Sequence, residues 1–280
     1  MTAATENFGL DLLAFGAHPD DVEICCGGLL ALSAARGHRT GIVDLSRGEL
    51  STSGTPELRA QETAAASQIL GLAVRENLGF PDGFINPYAG YDDEPTQRAH
   101  TTQVARVVSV LRRLRPAIVV MPWTHERHPD HEATAALVTK ALFFANVRKF
   151  ATADQPALPP FSPREVLRYP MRYDFGTPSF VVDISPVVER KAAAIAAYAS
   201  QLGQRAPVAP APSPASSASP LIASPLTVEA FAARDRYHGA MIGVTAGEPY
   251  LTRNVLGLAD PVAHFRDNRF GNPLFFGPPK

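Results

Sequence analysis

The triplet His-Pro-Asp occurs twice in this chain, as His18-Pro19-Asp20 followed by Asp21 and as His128-Pro129-Asp130 followed by His131. With 8 His and 26 Pro in 280 residues, a shuffled chain of this composition would hold about 0.04 copies, so the two triplets read as halves of one site. Together they offer imidazoles and carboxylates without a thiolate, the donor set of an open, catalytic divalent-metal centre. His18, Asp21 and His131 are the candidate ligands: two neutral imidazoles, one carboxylate and a bound hydroxide leave Zn²⁺ formally neutral, which eases its burial. Asp20 is then a spare carboxylate next to a ligand, placed to act as general base towards water. His128 is a candidate for stabilising an oxyanion or protonating a departing amine, with Asp130 orienting it and setting its pKa. The chemistry these residue types serve is metal-assisted hydrolysis.

Plainer roles compete for several of the same residues. Asp20 and Asp21 would also cap a helix beginning near Gly27, and Asp130 would cap one starting at His131, since Asp is a favoured N-cap. Cys25 and Cys26 are read as small apolar groups packing at a helix start, and as adjacent residues they do not suit a disulfide. His125 is expected to face solvent and Trp123 to pack under the second triplet. Arg59 and Glu62 fall early in a predicted helix, where they either form a solvated face or let an Arg bind substrate carboxylates or hydroxyls bidentately.

Both triplets need a scaffold that brings them together, and the first 150 residues supply one. Strands are expected over 12–16, 40–45, 75–78 and 117–121, alternating with helices over 28–36, 56–70 and 97–114, the pattern of βαβ units. Val104, Val107, Val108 and Leu111 recur at helical spacing, and Arg115-Pro116 ends that helix. The fold class is therefore α/β, a Rossmann-like, mostly parallel sheet flanked by helices. Each triplet follows the C-terminal end of a strand, the edge where open α/β sheets bind ligands. The second half is expected to add strands over 165–173 and 179–184 and helices over 186–201 and 228–241, with a Pro/Ala/Ser-rich loop over about 205–220.

Composition narrows the rest. A length of 280 residues with 45% apolar content supports one domain spanning 1–280. A net charge of −1 gives no electrostatic case for nucleic acid or an anionic membrane, so a small-molecule partner is expected. The N-terminus lacks the basic and apolar regions of a signal peptide, and a cytoplasmic location is expected.

The motifs also carry a resemblance. Leu13–Glu23 (LAFGAHPDDVE) with Cys26-Gly27-Gly28, and Arg127–Ala133 (RHPDHEA), resemble the LmbE/PIG-L superfamily of zinc-dependent N-acetylglucosamine deacetylases. Asp44–Leu50, Gly54–Arg59, Arg148-Lys149-Phe150 and Ala197–Gln201 are similar to the bacillithiol biosynthesis branch, and the likeness runs over roughly 9–260. The resemblance implies a Rossmann-like fold and hydrolysis of the N-acetyl group of a GlcNAc conjugate, N-acetylglucosaminyl malate in that branch. By motif it implies His18, Asp21 and His131 as metal ligands, Asp20 as base and His128 with Asp130 as acid or oxyanion stabiliser. It makes Arg59 a substrate-binding candidate, places Arg127 near the malate carboxylates, and implies Zn²⁺, with Fe²⁺ as an alternative, in a homo-oligomer. Cys25 stands where relatives more often have Gly. Pro225-Leu226-Thr227 runs into Val228-Glu229 where some relatives have a Tyr, which leaves an inositol- or thiol-linked GlcNAc derivative as an alternative substrate. Two other readings remain: a two-His, one-carboxylate Fe(II) oxygenase, which O₂ consumption would reveal, and a metal-stabilised sugar-binding module, which would need neither Asp20 nor His128.

Overall fold

A computed structural model describes residues 8–88, 102–154, 157–171, 176–202 and 227–255, with positions 257, 259, 260 and 262. The expected loop over 205–220 lies outside the described residues. Among the described residues, seven strands form one sheet: β1 (Leu10–Gly16), β2 (Thr40–Ser46), β3 (Val74–Phe80), β4 (Pro116–Pro122), β5 (Glu165–Tyr169), β6 (Phe180–Asp183) and β7 (Gly247–Thr252). Their spatial order is β3-β2-β1-β4-β5-β7-β6. The first five are parallel, and β7 pairs antiparallel with both β5 and β6. The expected α/β sheet is thus present.

Burial on both faces explains why the parallel strands read as continuous apolar runs. Leu13 and Phe15 of β1 join one core with Val119 and Met121 of β4, while Leu12 and Ala14 join a second core with Val120. This is the two-residue alternation of a strand covered on each side. Helices α3 (Gln103–Leu114) and α4 (Pro129–Ala145) cover the first face. Helices α1 (Asp21–Ala35), α2 (Pro56–Leu70) and α5 (Val188–Ala196) serve the second, and α6 (Val228–Ile242) lies against β7. The chain leaves β1 for β2 on one side and reaches β4 on the other, so the crevice of a topological switch opens beyond β1 and β4.

Two helices carry the triplets, and each is anchored at depth. Helix α1 starts seven residues before its expected beginning, and Cys26 (φ −141°, ψ 18°) breaks it into two segments. Gly27-Gly28, the expected start of the helix, instead opens its second segment, where the Glu248 carboxylate accepts from Gly28 N (2.8 Å) and Leu29 N (2.7 Å) as a cap. Lys191 (1% exposed) pairs with Glu248 at 2.9 Å and with Asp235 at 2.8 Å. Under the first turn of α1, Glu23 meets the Arg75 guanidinium and accepts from Tyr198 OH at 2.8 Å. Helix α4 is held at its far end by buried Arg112, which donates to the carbonyls of Ala145 (3.0 Å), Phe150 (2.9 Å) and Val147 (2.7 Å). Cys25 and Cys26 are buried free thiols, the packing role expected of them.

Candidate metal centre and active site

The turn after β1 is fixed by Asp21, the first residue of α1. Its Oδ2 accepts from the backbone of Ala17 (3.0 Å) and His18 (2.9 Å), so the carboxylate folds back over the turn instead of capping the helix. That leaves Oδ1 towards His131 Nε2 at 3.3 Å, with His18 Nδ1 3.6 Å from Oδ2. Asp20 occupies the N-cap position without a side-chain capping bond. His128 is the N-cap of α4, its Nδ1 accepting from Asp130 N at 3.2 Å. Both capping expectations for the Asp residues are therefore corrected: Asp20 and Asp130 keep their carboxylates for other partners.

The three imidazoles pack as a triangle, with ring centroids 4.9 Å apart for His18–His128 and His128–His131 and 5.6 Å for His18–His131. Donor nitrogens of His18, His128 and His131 all lie within 4.8 Å of one another, as do donor atoms of His18, Asp82 and Asp130. The expected trio shares His18 and His131 with the first set, and Asp21 touches both. Asp21 offers Oδ1 on the His131 side, its Oδ2 being taken by two backbone amides, while His128 offers Nε2, its Nδ1 being taken by the backbone of α4. This donor set, rich in imidazole and carboxylate and drawn from two helix starts, fits a divalent cation.

Electrostatics follow from crowding carboxylates at a buried place. Burial works against a charged His18, yet hydrogen bonds to Asp130, Asp21 and Asp82 outweigh it and push its pKa up to about 12. Burial likewise raises Asp21, but His131 and His18 hold it well below the usual carboxylate range. Burial and then the Asp21 charge push Asp20 up to about 7, with Arg59 and His18 pulling back. A carboxyl near neutrality can both take and return a proton. Burial, His131 and His18 lower His128. With Nδ1 accepting from the backbone, a neutral His128 carries its proton on Nε2. Such an imidazole donates to an oxyanion without being an imidazolium.

Several expected roles change. The Asp130 carboxylate acts on His128 through its charge, which raises the His128 pKa, and not through a hydrogen bond: its Oδ2 accepts from Gly83 N at 2.7 Å and lies 3.4 Å from His18 Nε2, while its backbone amide holds His128. Arg59 and Glu62 do not form a solvated face; they are 6% and 7% exposed, Glu62 accepting from Ser200 N and Oγ. Arg59 Nη1 donates to Pro19 O at 2.8 Å. Arg127 and His125 are exposed, Arg127 at the rim of the cavity. Sequence reasoning missed Asp82, whose Oδ1 lies 3.0 Å from His18 Nε2 and whose Oδ2 accepts from Leu50 N at 2.8 Å. Its signal was Pro81-Asp82-Gly83, a turn at the end of β3 on the same sheet edge, which reads as an ordinary loop.

These groups line a cavity of about 330 Å³. Asp20, Asp21, His18, His128 and His131 form its floor; Arg59, Ser51 and Gln201 stand on one side, and Ile24, Leu50, Met171 and Phe231 add apolar wall. That volume suits one sugar ring with part of an attached group. Among the described residues, no helix is long and apolar enough to cross a membrane.

Residues 13–142 match the family model described as PIG-L, GlcNAc-PI de-N-acetylase. The chain is 31% identical over 202 residues to a diacetylchitobiose deacetylase of Thermococcus kodakarensis, covering 68% of this chain and 69% of that protein. It is also 31% identical over 162 residues to a 1D-myo-inositol 2-acetamido-2-deoxy-alpha-D-glucopyranoside deacetylase of Kineococcus radiotolerans, covering 48% and 45%. The crystal structure of a conserved protein from Thermus thermophilus superposes with a TM-score of 0.71 at 38% identity, covering 89% of this chain and 98% of that one.

Proposed function

We propose, for a chain that belongs to the PIG-L family and deacetylates GlcNAc-containing substrates, one particular substrate: N-acetylglucosaminyl malate, cleaved to glucosaminyl malate and acetate in bacillithiol biosynthesis. The observation that carries the hydrolytic reading is the spare Asp20 carboxylate beside the His18, Asp21 and His131 donors on the floor of a sugar-sized cavity. The malate is supported by Arg127 at the cavity rim, a cation suited to a carboxylate, and by the resemblance of Asp44–Leu50 and Ala197–Gln201 to the bacillithiol branch.

In this reading His18, Asp21 and His131 hold the metal, which when bound polarises the acetamide carbonyl and makes water more acidic. Asp20 accepts a proton from the attacking water as its oxygen bonds to the carbonyl carbon. His128 Nε2–H donates to the oxygen that gains charge. As the C–N bond breaks, Asp20 returns its proton to the leaving nitrogen, giving the free amine and acetate. Asp130 and Asp82 hold the His18 ring from its far side.

The apolar wall of Ile24, Leu50, Met171 and Phe231 favours a second reading, in which the group joined to GlcNAc is a neutral ring such as a sugar or an inositol. Amine release from N-acetylglucosaminyl malate, N,N'-diacetylchitobiose and an inositol-linked GlcNAc separates the two. The first reading predicts the highest kcat/KM on the malate conjugate; a preference of tenfold or more for either neutral conjugate overturns it.

A further inference from the structure

Helix α1 is broken at Cys26, and the break frees backbone groups that an unbroken helix would pair. Gly28 N, the regular partner of Ile24 O in such a helix, donates to Glu248 Oε1 at 2.8 Å. Ile24 O is taken by Arg234 of α6, whose Nη2 donates to it at 2.6 Å. The same guanidinium sends Nη1 to Met171 O at 3.0 Å. Ile24 and Met171 both line the cavity, and Phe231, which lines it too, stands three residues before Arg234 on α6. One side chain therefore ties together the segments that carry three of the four residues of the apolar wall.

We propose that Arg234 is a positioning residue for substrate selectivity: by bridging the carbonyls of Ile24 and Met171 it sets the spacing of the apolar wall, and so which group joined to GlcNAc the cavity accepts. The proposal rests on the deacetylase reading above. Each bridged residue is pinned on both sides of its backbone, with Ile24 N donating to Asp20 O at 3.0 Å and Met171 N to Glu126 Oε1 at 2.7 Å. Neither can shift its backbone without breaking one of these bonds. The helix that carries Arg234 has its own seat. Asp235 meets buried Lys191 at 2.8 Å, and Gly239 lies so close to Ala246 that a Cβ there would stand 2.8 Å from its backbone. Arg234 is thus free to serve the wall rather than the helix. A guanidinium suits the bridge because it is a planar fork with donors aimed in separate directions, which an ammonium is not.

The wall is met by the group joined to GlcNAc, which separates this role from a merely structural one. Arg234→Met removes the fork and keeps apolar bulk. On whichever of N-acetylglucosaminyl malate and N,N'-diacetylchitobiose the wild type cleaves better, KM is expected to rise about tenfold with kcat within about twofold, the mark of lost binding rather than lost chemistry. On methyl N-acetylglucosaminide, whose aglycone is a single carbon, kcat/KM should stay within about twofold, so selectivity for conjugate over methyl glycoside falls about tenfold. Arg234→Lys keeps the charge without the fork, and should lose the same selectivity while holding more of the thermal stability. Hydrogen exchange reads the bridge without substrate: segments 22–26 and 168–171 should exchange about tenfold faster in Arg234→Met, while α4 stays protected. Equal losses on conjugate and methyl glycoside, unchanged selectivity, or unaltered exchange in both segments overturns the proposal. If Arg234→Met does not fold, Arg234→Lys decides by the same ratio. Failure of the wild type to cleave any GlcNAc conjugate would instead sink the deacetylase reading and leave the exchange result to decide the bridge.

Discussion

Asp82→Asn isolates a carboxylate that neither triplet contains. The Asp82 side chain is 7% exposed and accepts two bonds at once, from His18 Nε2 at 3.0 Å and from Leu50 N at 2.8 Å. An amide has one acceptor oxygen, so the variant keeps one of these bonds and turns an NH₂ towards the other partner. The bond to His18 is charge-assisted and worth about 1.5–3 kcal/mol, or about 10–150-fold at 1.4 kcal/mol per decade. Asp130 Oδ2 stands 3.4 Å from the same Nε2 and takes over part of the restraint. The expected loss therefore sits at the low end, about 10–30-fold in zinc affinity, within the range found when an outer partner of a ligating histidine is removed. The Asp82→Asn, Asp130→Asn double variant should lose more than the sum of the single variants, because each carboxylate covers for the other. Competition for zinc against a chromogenic chelator reads the affinity, and circular dichroism shows whether the fold is kept. A folded Asp82→Asn protein whose zinc affinity stays within about twofold of wild type would refute the reasoning.

Other perturbations test the supports and the rim. Glu248→Ala leaves Lys191 with one partner in a buried place and uncaps the second segment of α1, and should cost about 3–5 kcal/mol in urea denaturation; a loss below about 1 kcal/mol would show that the pair is dispensable. Arg112→Met removes a guanidinium that serves the carbonyls of Ala145 at the end of α4 and of Val147 and Phe150 just beyond it, and should cost about 2–4 kcal/mol while activity per folded molecule is kept. Arg127→Ala should raise KM for N-acetylglucosaminyl malate about three- to tenfold at unchanged kcat and leave N,N'-diacetylchitobiose unaffected, read by steady-state amine release.

The parts of the fold legible in the sequence are those where one local rule acts alone. β1, β2 and β4 are apolar on both faces, and α2 begins at Thr55-Pro56 and ends at Gly71, a cap, a favoured first residue and a left-handed stop. β7 was missed because Gly247-Glu248-Pro249 reads as a turn. Pro249 is tolerated there because it falls outside the two-residue pairing of β7 with β5. The early start of α1 was hidden for a different reason: the glycines taken as the helix start open only its second segment, capped by Glu248 some 220 residues away, and no local pattern carries that information. The candidate site divides the same way. The repeated triplet named the residues on its floor, but Asp82 comes from a third loop, and the direction in which Arg59 points depends on how α2 meets the turn after β1. Residue type and spacing give the chemistry available; the partner of each group is set by tertiary contact.

The central claim is that Asp20 is the base of a metal-dependent deacetylase. Its most direct test is acetate release from N-acetylglucosaminyl malate by zinc-loaded wild type and Asp20→Asn, each with and without chelator and each with its bound zinc measured. Chelator-sensitive release by the wild type is expected, with a loss of about 10²–10⁴-fold in kcat for Asp20→Asn at unchanged zinc content. Full activity in a zinc-loaded Asp20→Asn protein, or release by the wild type that survives removal of the metal, would contradict it.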